Sequence, residues 1–228
     1  MADFTNDFSV NLGDYAHVHA YDSASSATVS GGECAIAITG NDAGNTGQSW
    51  IEIDDVDITS NLSVFIEVRQ DTPGGCGFAQ TCVLGVAKAD EIIGQSGFAA
   101  FQIAPDGSPG SISGKKGRYD NGVFSGTSYT TNSHGPMWVW LYVAADGTIT
   151  IKYKESLSGA WVLLPQTNTN FNLSGETKCK LGYFATAANT YSHTVYLNYV
   201  TDTDPTPAPI TATGLWVGFA KFEGFTTW

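Results

Sequence analysis

Trp138, Trp140 and Tyr142 alternate with Val139, Leu141 and Val143. Residues two apart in an extended chain share a face, so this strand has one aliphatic face and one face of large rings. The chemistry open to a ring face is stacking. An aromatic plane covers the apolar C–H face of a pyranose, while neighbouring polar side chains take up its hydroxyls. Arg69, Glu67, Tyr196 and Asn198, in adjacent strand-like runs, are the polar companions this reading selects. An antiparallel strand with one wet face alternates apolar with polar, so the ring face needs a cover. The candidates are the loop 107–133, the C-terminal tail, a second subunit or a sugar, and protein is the expected one.

Other reactive residue types are sparse. His17 and His19 share a strand face but have no third ligand near them in sequence, so they do not define a metal site. There is no Gly-x-Ser-x-Gly and no Ser, His and Asp grouping for nucleophilic catalysis. Cys76 and Cys82 bracket Gly-Phe-Ala-Gln-Thr, a loop short enough for a local disulfide, and Cys34 and Cys179 sit in separate strand-like runs that could pair across the fold. Four reduced thiols are the equal alternative, because the redox compartment is open.

The elements that must position these residues are strands. Runs at 33–39, 49–53, 62–70, 81–87, 98–103, 122–124, 137–143, 148–153, 161–164, 179–185 and 193–200 read as extended. Gly31-Gly32, Gly74-Gly75, Asp106-Gly107, Asn121-Gly122, Asp146-Gly147 and Ser158-Gly159 separate them as turns. The Asp146-Gly147 hairpin is the clearest, with Ile149, Ile151 and Tyr153 opposing Thr150, Lys152 and Lys154. Likewise Val64, Ile66 and Val68 oppose Phe65, Glu67 and Arg69. No segment has helical periodicity with caps, and so many strands in one layer would leave an apolar face uncovered. A two-sheet antiparallel sandwich follows.

Composition narrows the partners. The 228 residues fit one all-β domain, with 42% hydrophobic but only 14% charged residues and a net charge of -12. Nucleic acid is excluded as a partner by the lack of a basic stripe; Lys115, Lys116 and Arg118 read as a solvated loop. No run reaches the roughly 18 apolar residues of a membrane span, and residues 1–8 lack a basic and then apolar leader. The expectation is either a trimmed leader or release without classical export, the route that phage virion proteins take at lysis. After Asp204 the proline-rich spacer 205–209 leads to an aromatic tail. Its Leu215, Trp216, Phe219, Phe222, Phe225 and Trp228 are poor candidates for solvent exposure and are read as subunit contacts.

Taken together, Val139-Trp140-Leu141-Tyr142-Val143, Asp146-Gly147, Tyr153, Ser158-Gly159, Trp161, Leu163, Lys180-Leu181-Gly182-Tyr183-Phe184-Ala185 and Val195-Tyr196-Leu197-Asn198-Tyr199-Val200 form a recognisable ensemble. It resembles the concanavalin A-like lectin/glucanase sandwiches, most of all the small jelly-roll modules found beside glycosidases and in phage structural proteins. The resemblance spans roughly residues 4–204 and departs where Leu197-Asn198-Tyr199 replaces an acidic Phe-Asp-Asn. It implies an all-β, two-sheet antiparallel jelly-roll sandwich over 1–204, with 205–228 as spacer and C-terminal arm. Lectins, hydrolases and inert modules all use this superfold.

Within it, Glu52-Ile53-Asp54-Asp55-Val56-Asp57 resembles the Glu-x-Asp-x-x-Glu signature of laminarinase-type glycosidases. Retaining glycosidases need two carboxylates about 5–5.5 Å apart, one nucleophile and one acid/base. Here the last position is Asp57, a methylene short of the family's Glu, and the motif reads as a strand end and turn. Members of the superfold often bind Ca²⁺ through loop oxygens, and Asp106, Asp120, Asn121, Asp202 and Asp204 are the oxygens available, without a defined ligand set. No cofactor is expected. The expected protein is a non-catalytic structural or adhesive module of a virion surface, of decoration or tail-fibre type, or otherwise extracellular. Its expected partners are other virion or surface proteins, a glycan and further copies of itself. The rivals are a secreted carbohydrate-binding module and a glycoside hydrolase using Glu52 and Asp57.

Overall fold

The computed structural model describes residues 3–20, 24–39, 47–70, 81–89, 98–105, 112–120, 123–131, 136–163, 173–187 and 192–205. Its strands are β1 (Ala16–Ala20), β2 (Ala24–Ser30), β3 (Glu33–Thr39), β4 (Gly47–Asp57), β5 (Leu62–Gln70), β6 (Thr81–Lys88), β7 (Phe98–Pro105), β8 (Ile112–Asp120), β9 (Val123–Thr131), β10 (Met137–Val143), β11 (Ile149–Lys154), β12 (Val162–Leu163), β13 (Lys178–Ala187) and β14 (Ser192–Thr201). They form two seven-stranded antiparallel sheets. One, ordered β12-β11-β10-β5-β14-β3-β2, carries the ring face and is termed the aromatic sheet. The other, β1-β4-β13-β6-β7-β8-β9, is termed the carboxylate sheet. The result is a jelly-roll sandwich, and among the described residues no helix is long and apolar enough to cross a membrane.

The core lies between the sheets and follows period-2 alternation. Val139, Leu141 and Val143 of β10 face inward with Ile149, Ile151 and Tyr153 of β11 and Val64, Ile66 and Val68 of β5. The opposite layer supplies Ile51, Ile53 and Val56 of β4, Leu84 and Val86 of β6, and Leu181 and Tyr183 of β13. A one-residue slip in any of these strands would turn its aliphatic set outward, which fixes register.

The β10–β11 hairpin closes at Gly147, whose φ of 84° lies in the left-handed region. Its carbonyl accepts a 3.1 Å hydrogen bond from the Leu173 N–H. A Cβ there would sit 2.1 Å from the Ser174 backbone nitrogen, so the turn and the 173–176 segment touch only because residue 147 has no side chain.

Three strands are absent from the sequence expectation: β1, β2 and β8. Ala-His-Val-His-Ala and Ala-Ser-Ser-Ala-Thr-Val-Ser have few bulky residues to alternate, because β1 and β2 are edge strands with little core to fill. The described part of 107–133, residues 112–120 and 123–131, is strand and not a covering loop. It holds β8 and β9, paired with each other at the far edge of the carboxylate sheet, so Lys115, Lys116 and Arg118 belong to a strand. The aromatic arm beyond residue 205, with Leu215, Trp216, Phe219, Phe222, Phe225 and Trp228, lies outside the described residues.

The pairing of Cys34 with Cys179 is corrected: both thiols are free and buried. Cys34 hangs from β3 in one sheet and Cys179 from β13 in the other. Burial pushes both thiols up to about 12, which removes them from nucleophilic chemistry. Cys76, and the side chain of Cys82, lie outside the described residues.

Two outcomes follow from this packing. Gly147→Ala should cost at least about 1–3 kcal/mol in urea unfolding, from backbone strain at positive φ together with the clash at Ser174. In a Cys76→Ser/Cys82→Ser background, Cys34 and Cys179 should resist a thiol reagent at about pH 8 and both react once the chain is unfolded; rapid native labelling would contradict their burial.

Candidate functional site

Register places the ring face residue by residue. On the outer side of the aromatic sheet, Trp138 lies between Lys154 and Glu67, Trp140 between Lys152 and Phe65, and Tyr142 between Thr150 and Ser63. Phe65 stacks on Trp140 at 5.4 Å between centroids, and Tyr142 meets Trp140 edge-on at 6.1 Å. Trp161 leans on both Phe65 and Trp140, at 5.8 and 5.9 Å. The cover is therefore the turn between β11 and β12, which brings Trp161 back over the sheet. Its indole N–H donates to Asp204 Oδ2 at 3.1 Å, and Lys154 Nζ sits 4.5 Å above its ring.

This cover makes a small second core on the outside of the sheet. Phe65 and Trp138 are 5% and 8% exposed, and Lys154 is 1% exposed with Nζ donating to the Leu157 carbonyl at 2.8 Å. Lys152 Nζ caps Trp140 at 4.2 Å. Cation–π contacts of this kind contribute about 0.5–2 kcal/mol, more as water is excluded. Trp140 and Tyr142 stay half-buried, so part of each ring is left to a ligand. Trp138 Nε1 and Tyr199 Oη are buried beside each other on this face, and among the described residues Trp140 Nε1 meets no acceptor. Burial, with the Glu67 charge adding to it, pushes the Tyr199 phenol up to about 12.

The polar companions share this outer face. Arg69 clamps Glu33 with Nη2 2.7 Å from Oε2 and 2.8 Å from Oε1, and its guanidinium lies 3.7 Å over the Tyr196 ring. Asn198 Nδ2 donates to Glu67 Oε1 at 2.6 Å. A bulge in β14 lets Asn198 and Tyr199 crowd opposite Glu67, since Leu197 pairs with Val68 and Tyr199 with Glu67. All of Trp138, Trp140, Tyr142, Arg69, Glu67, Tyr196 and Asn198 thus occupy one surface. Sequence reasoning missed Phe65, Lys152, Lys154, Trp161, Asp204 and Glu33 as its supports. Lys152 and Lys154 carried a signal, being two apart on the face opposite Ile151 and Tyr153.

The carboxylate motif forms the last six residues of β4, which ends at Asp57, and the strand runs through it to that end. Ile53 pairs with Leu181 and Val56 with Cys179, so Asp54 and Asp55 together oppose the lone Lys180. This is a β-bulge, and Asp55 takes the left-handed φ of 62° that it requires. Because Ile53 and Val56 are both buried, the bulge turns Glu52, Asp54 and Asp57 all to the outer side.

The electrostatics around them are those of an ion cluster. Lys180 Nζ lies 3.1 Å from Asp54 Oδ1 and 3.6 Å from Glu52 Oε1, and the Trp50 indole donates to Glu52 Oε2 at 2.9 Å. Asp57 Oδ1 accepts from both the Thr59 amide and hydroxyl at 2.7 Å, and these bonds hold its carboxyl below the ordinary value. A general acid needs the opposite shift, toward the working pH.

Metal chemistry finds little purchase. His17 and His19 stack at 6.0 Å, with His17 Nε2 3.0 Å from Ser49 Oγ. Among the described residues no three His, Cys, Asp or Glu side chains gather to hold an ion. Asp202 accepts from the Thr203 hydroxyl, Asp204 is engaged by Trp161, and Asp106, Asn121 and the Asp120 side chain lie outside the described residues.

No family model and no curated protein sequence matches the chain. Solved structures do. The CBM2 module of the evolved Dit of Lactobacillus casei BL23 phage J-1 superposes with a TM-score of 0.57 at 8% identity, covering 88% of this chain and 94% of that one. Peanut lectin matches with 0.55 at 10% identity, over 82% and 96% of the two chains. The fold is the concanavalin A-like jelly roll. A Bacteroides ovatus GH16 protein of a mixed linkage glucan PUL, in complex with a G4G4G3G product, shares it with a TM-score of 0.53 at 11% identity, over 87% and 98%. A concanavalin A-like sandwich thus accommodates both lectins and hydrolases, and the local chemistry of β4 and β10 has to separate the two.

That chemistry gives a direct measurement. The fold favours ionised Asp57, so its stabilising contribution is full above the unfolded value near 3.8 and fades as pH falls through the lower folded value. Carboxyl NMR should find Asp57 ionised from about pH 4.5 upward. A midpoint above about 5 would instead mark a proton donor.

Proposed function

We propose that this protein is a non-catalytic, carbohydrate-binding β-sandwich whose glycan rests on the outer face of the aromatic sheet. One observation carries the reading. Half-buried Trp140 and Tyr142 keep part of their ring surface open and are held in place by Phe65, Trp161 and Lys152, beside the polar pairs Arg69–Glu33 and Asn198–Glu67. Rings and hydrogen-bonding groups locked before binding lose little entropy when a sugar arrives. Support comes also from the lectin and phage CBM2 neighbours in the same fold.

The absence of catalysis is argued from β4, where Lys180 forms ion pairs with both Glu52 and Asp54 and Thr59 favours ionised Asp57. The finer placement, on a virion surface as a decoration or tail-fibre-type component, draws support from the phage Dit neighbour and from the acidic, Gly/Ser/Thr-rich composition. In it, the aromatic arm of residues 205–228 joins copies of the chain.

Calorimetry against neutral oligosaccharides tests the glycan reading. Tyr142→Ala should weaken binding about tenfold, near 1.4 kcal/mol, while the chain stays folded with a melting temperature lowered by only a few degrees. Wild type should release no reducing ends from β-glucans. Turnover that disappears in Glu52→Gln would transfer the assignment to the hydrolase.

A further inference from the structure

A groove of about 420 Å³ lies at the end of the aromatic sheet, lined by Thr5, Asn6, Asp7, Tyr199, Val200 and Thr201. That volume falls in the range of small-molecule sites. The N-terminal segment builds one wall and β14 the other. Asn6 and Val200 exchange both backbone hydrogen bonds, at 2.9 and 2.7 Å, which makes the segment a short extra partner of β14. Val200 is buried in the core, so its neighbours Tyr199 and Thr201 point to the outer face, opposite Asp7 and Thr5.

Each wall is fixed before any ligand arrives. Phe8 is fully buried and anchors the segment, its N–H donating to Asn6 Oδ1 at 2.7 Å. Asn6 Nδ2 donates to the Asn11 carbonyl at 3.1 Å. Thr5 Oγ1 donates to Asp3 Oδ1 at 2.7 Å, Asp7 Oδ1 accepts from the Ser9 amide at 2.9 Å, and Thr201 Oγ1 accepts from the Thr203 amide at 3.2 Å. On the other side, Tyr199 joins the groove to the ring face through Glu67, its partner in register.

We infer that this groove is a second subsite for a neutral sugar ring, with Tyr199 as its apolar wall and Asp7 and Thr201 as its hydroxyl partners. The inference rests on the carbohydrate reading of the same sheet face. The exposed Asp7 carboxylate accepts hydrogen bonds from hydroxyls and repels anions, so a uronic or sialic acid is a poor occupant. Neither groove wall supplies a cation to offset that repulsion.

The test uses the full chain, amide NMR and four probes: β-1,3-, β-1,4- and α-1,4-linked glucohexaose and D-galactose. At least one should shift the amides of Asp7 and Thr201, and glucuronate should not. Thr201→Trp, which fills the groove, should abolish those shifts and weaken that probe about tenfold. Thr5→Trp fills it from the other wall and serves if the first variant unfolds. Shifts confined to Trp140 and Tyr142, unchanged by either filling variant, would overturn the groove and leave the carbohydrate reading standing. No shift with any probe would overturn both.

Discussion

Strand β10 has to be dehydrated on both faces, and much of the molecule follows from how that is done. Its aliphatic side is dried by the opposite sheet, as in any sandwich. Its ring side is dried from within the same sheet, by a turn that carries Trp161 over Phe65 and Trp140 and is fastened to Asp204. The fastening point lies just after β14, an interior strand, which thus holds down a turn that begins at the β11–β12 edge of the sheet. Two lysines complete the cover with their stems and ammonium groups, one of them almost wholly buried. The cover leaves Trp140 and Tyr142 partly exposed and fixed in place, so little ring freedom is lost when a ligand arrives.

The carboxylate sheet shows how little separates a reactive trio from a structural one. A single extra residue in β4 puts Glu52, Asp54 and Asp57 on one side. Geometry of that kind is necessary for glycoside hydrolysis and falls short of sufficient, because the two carboxyl groups must also differ in proton affinity. Here Lys180 supplies a counter-charge between two of them, and an Asx-type pair of bonds from Thr59 stabilises the third as an anion. The neighbours in the same fold include both binding proteins and a GH16 protein, so backbone likeness alone leaves this point open.

The legible parts of the sequence were those in which one physical signal dominates. β3, β5 and β10 match their expected limits to the residue, because bulky alternation ends where a turn begins. The Asp146-Gly147 hairpin was legible for the same reason, local chemistry at one left-handed position. Edge strands β1 and β2 and the hairpin strand β8 were not, since Ala, Ser, Gly and Lys side chains give no alternation to read. The bulge in β4 left a trace: Ile53 and Val56 are three apart, where an unbroken strand would put its core residues two apart. At the candidate site, the rings and their polar companions could be gathered by strand face. The covering turn could not, because it depends on a long-range hydrogen bond from Trp161 to Asp204.

The bridge between Asn6 and Val200 has a bearing on how the chain acquires its shape. β14 also hydrogen-bonds to β3 and β5, so three early segments find their partner only among the last described residues. Contacts so distant along the chain delay folding, since loop closure is paid for before the contacts repay it. On the ribosome, the backbone of Asn6 and the open sides of β3 and β5 wait for their ladder partner until β14 has emerged. The earliest described segment is thus among the last to be secured, and vectorial synthesis leaves the aromatic sheet open until β14 exists.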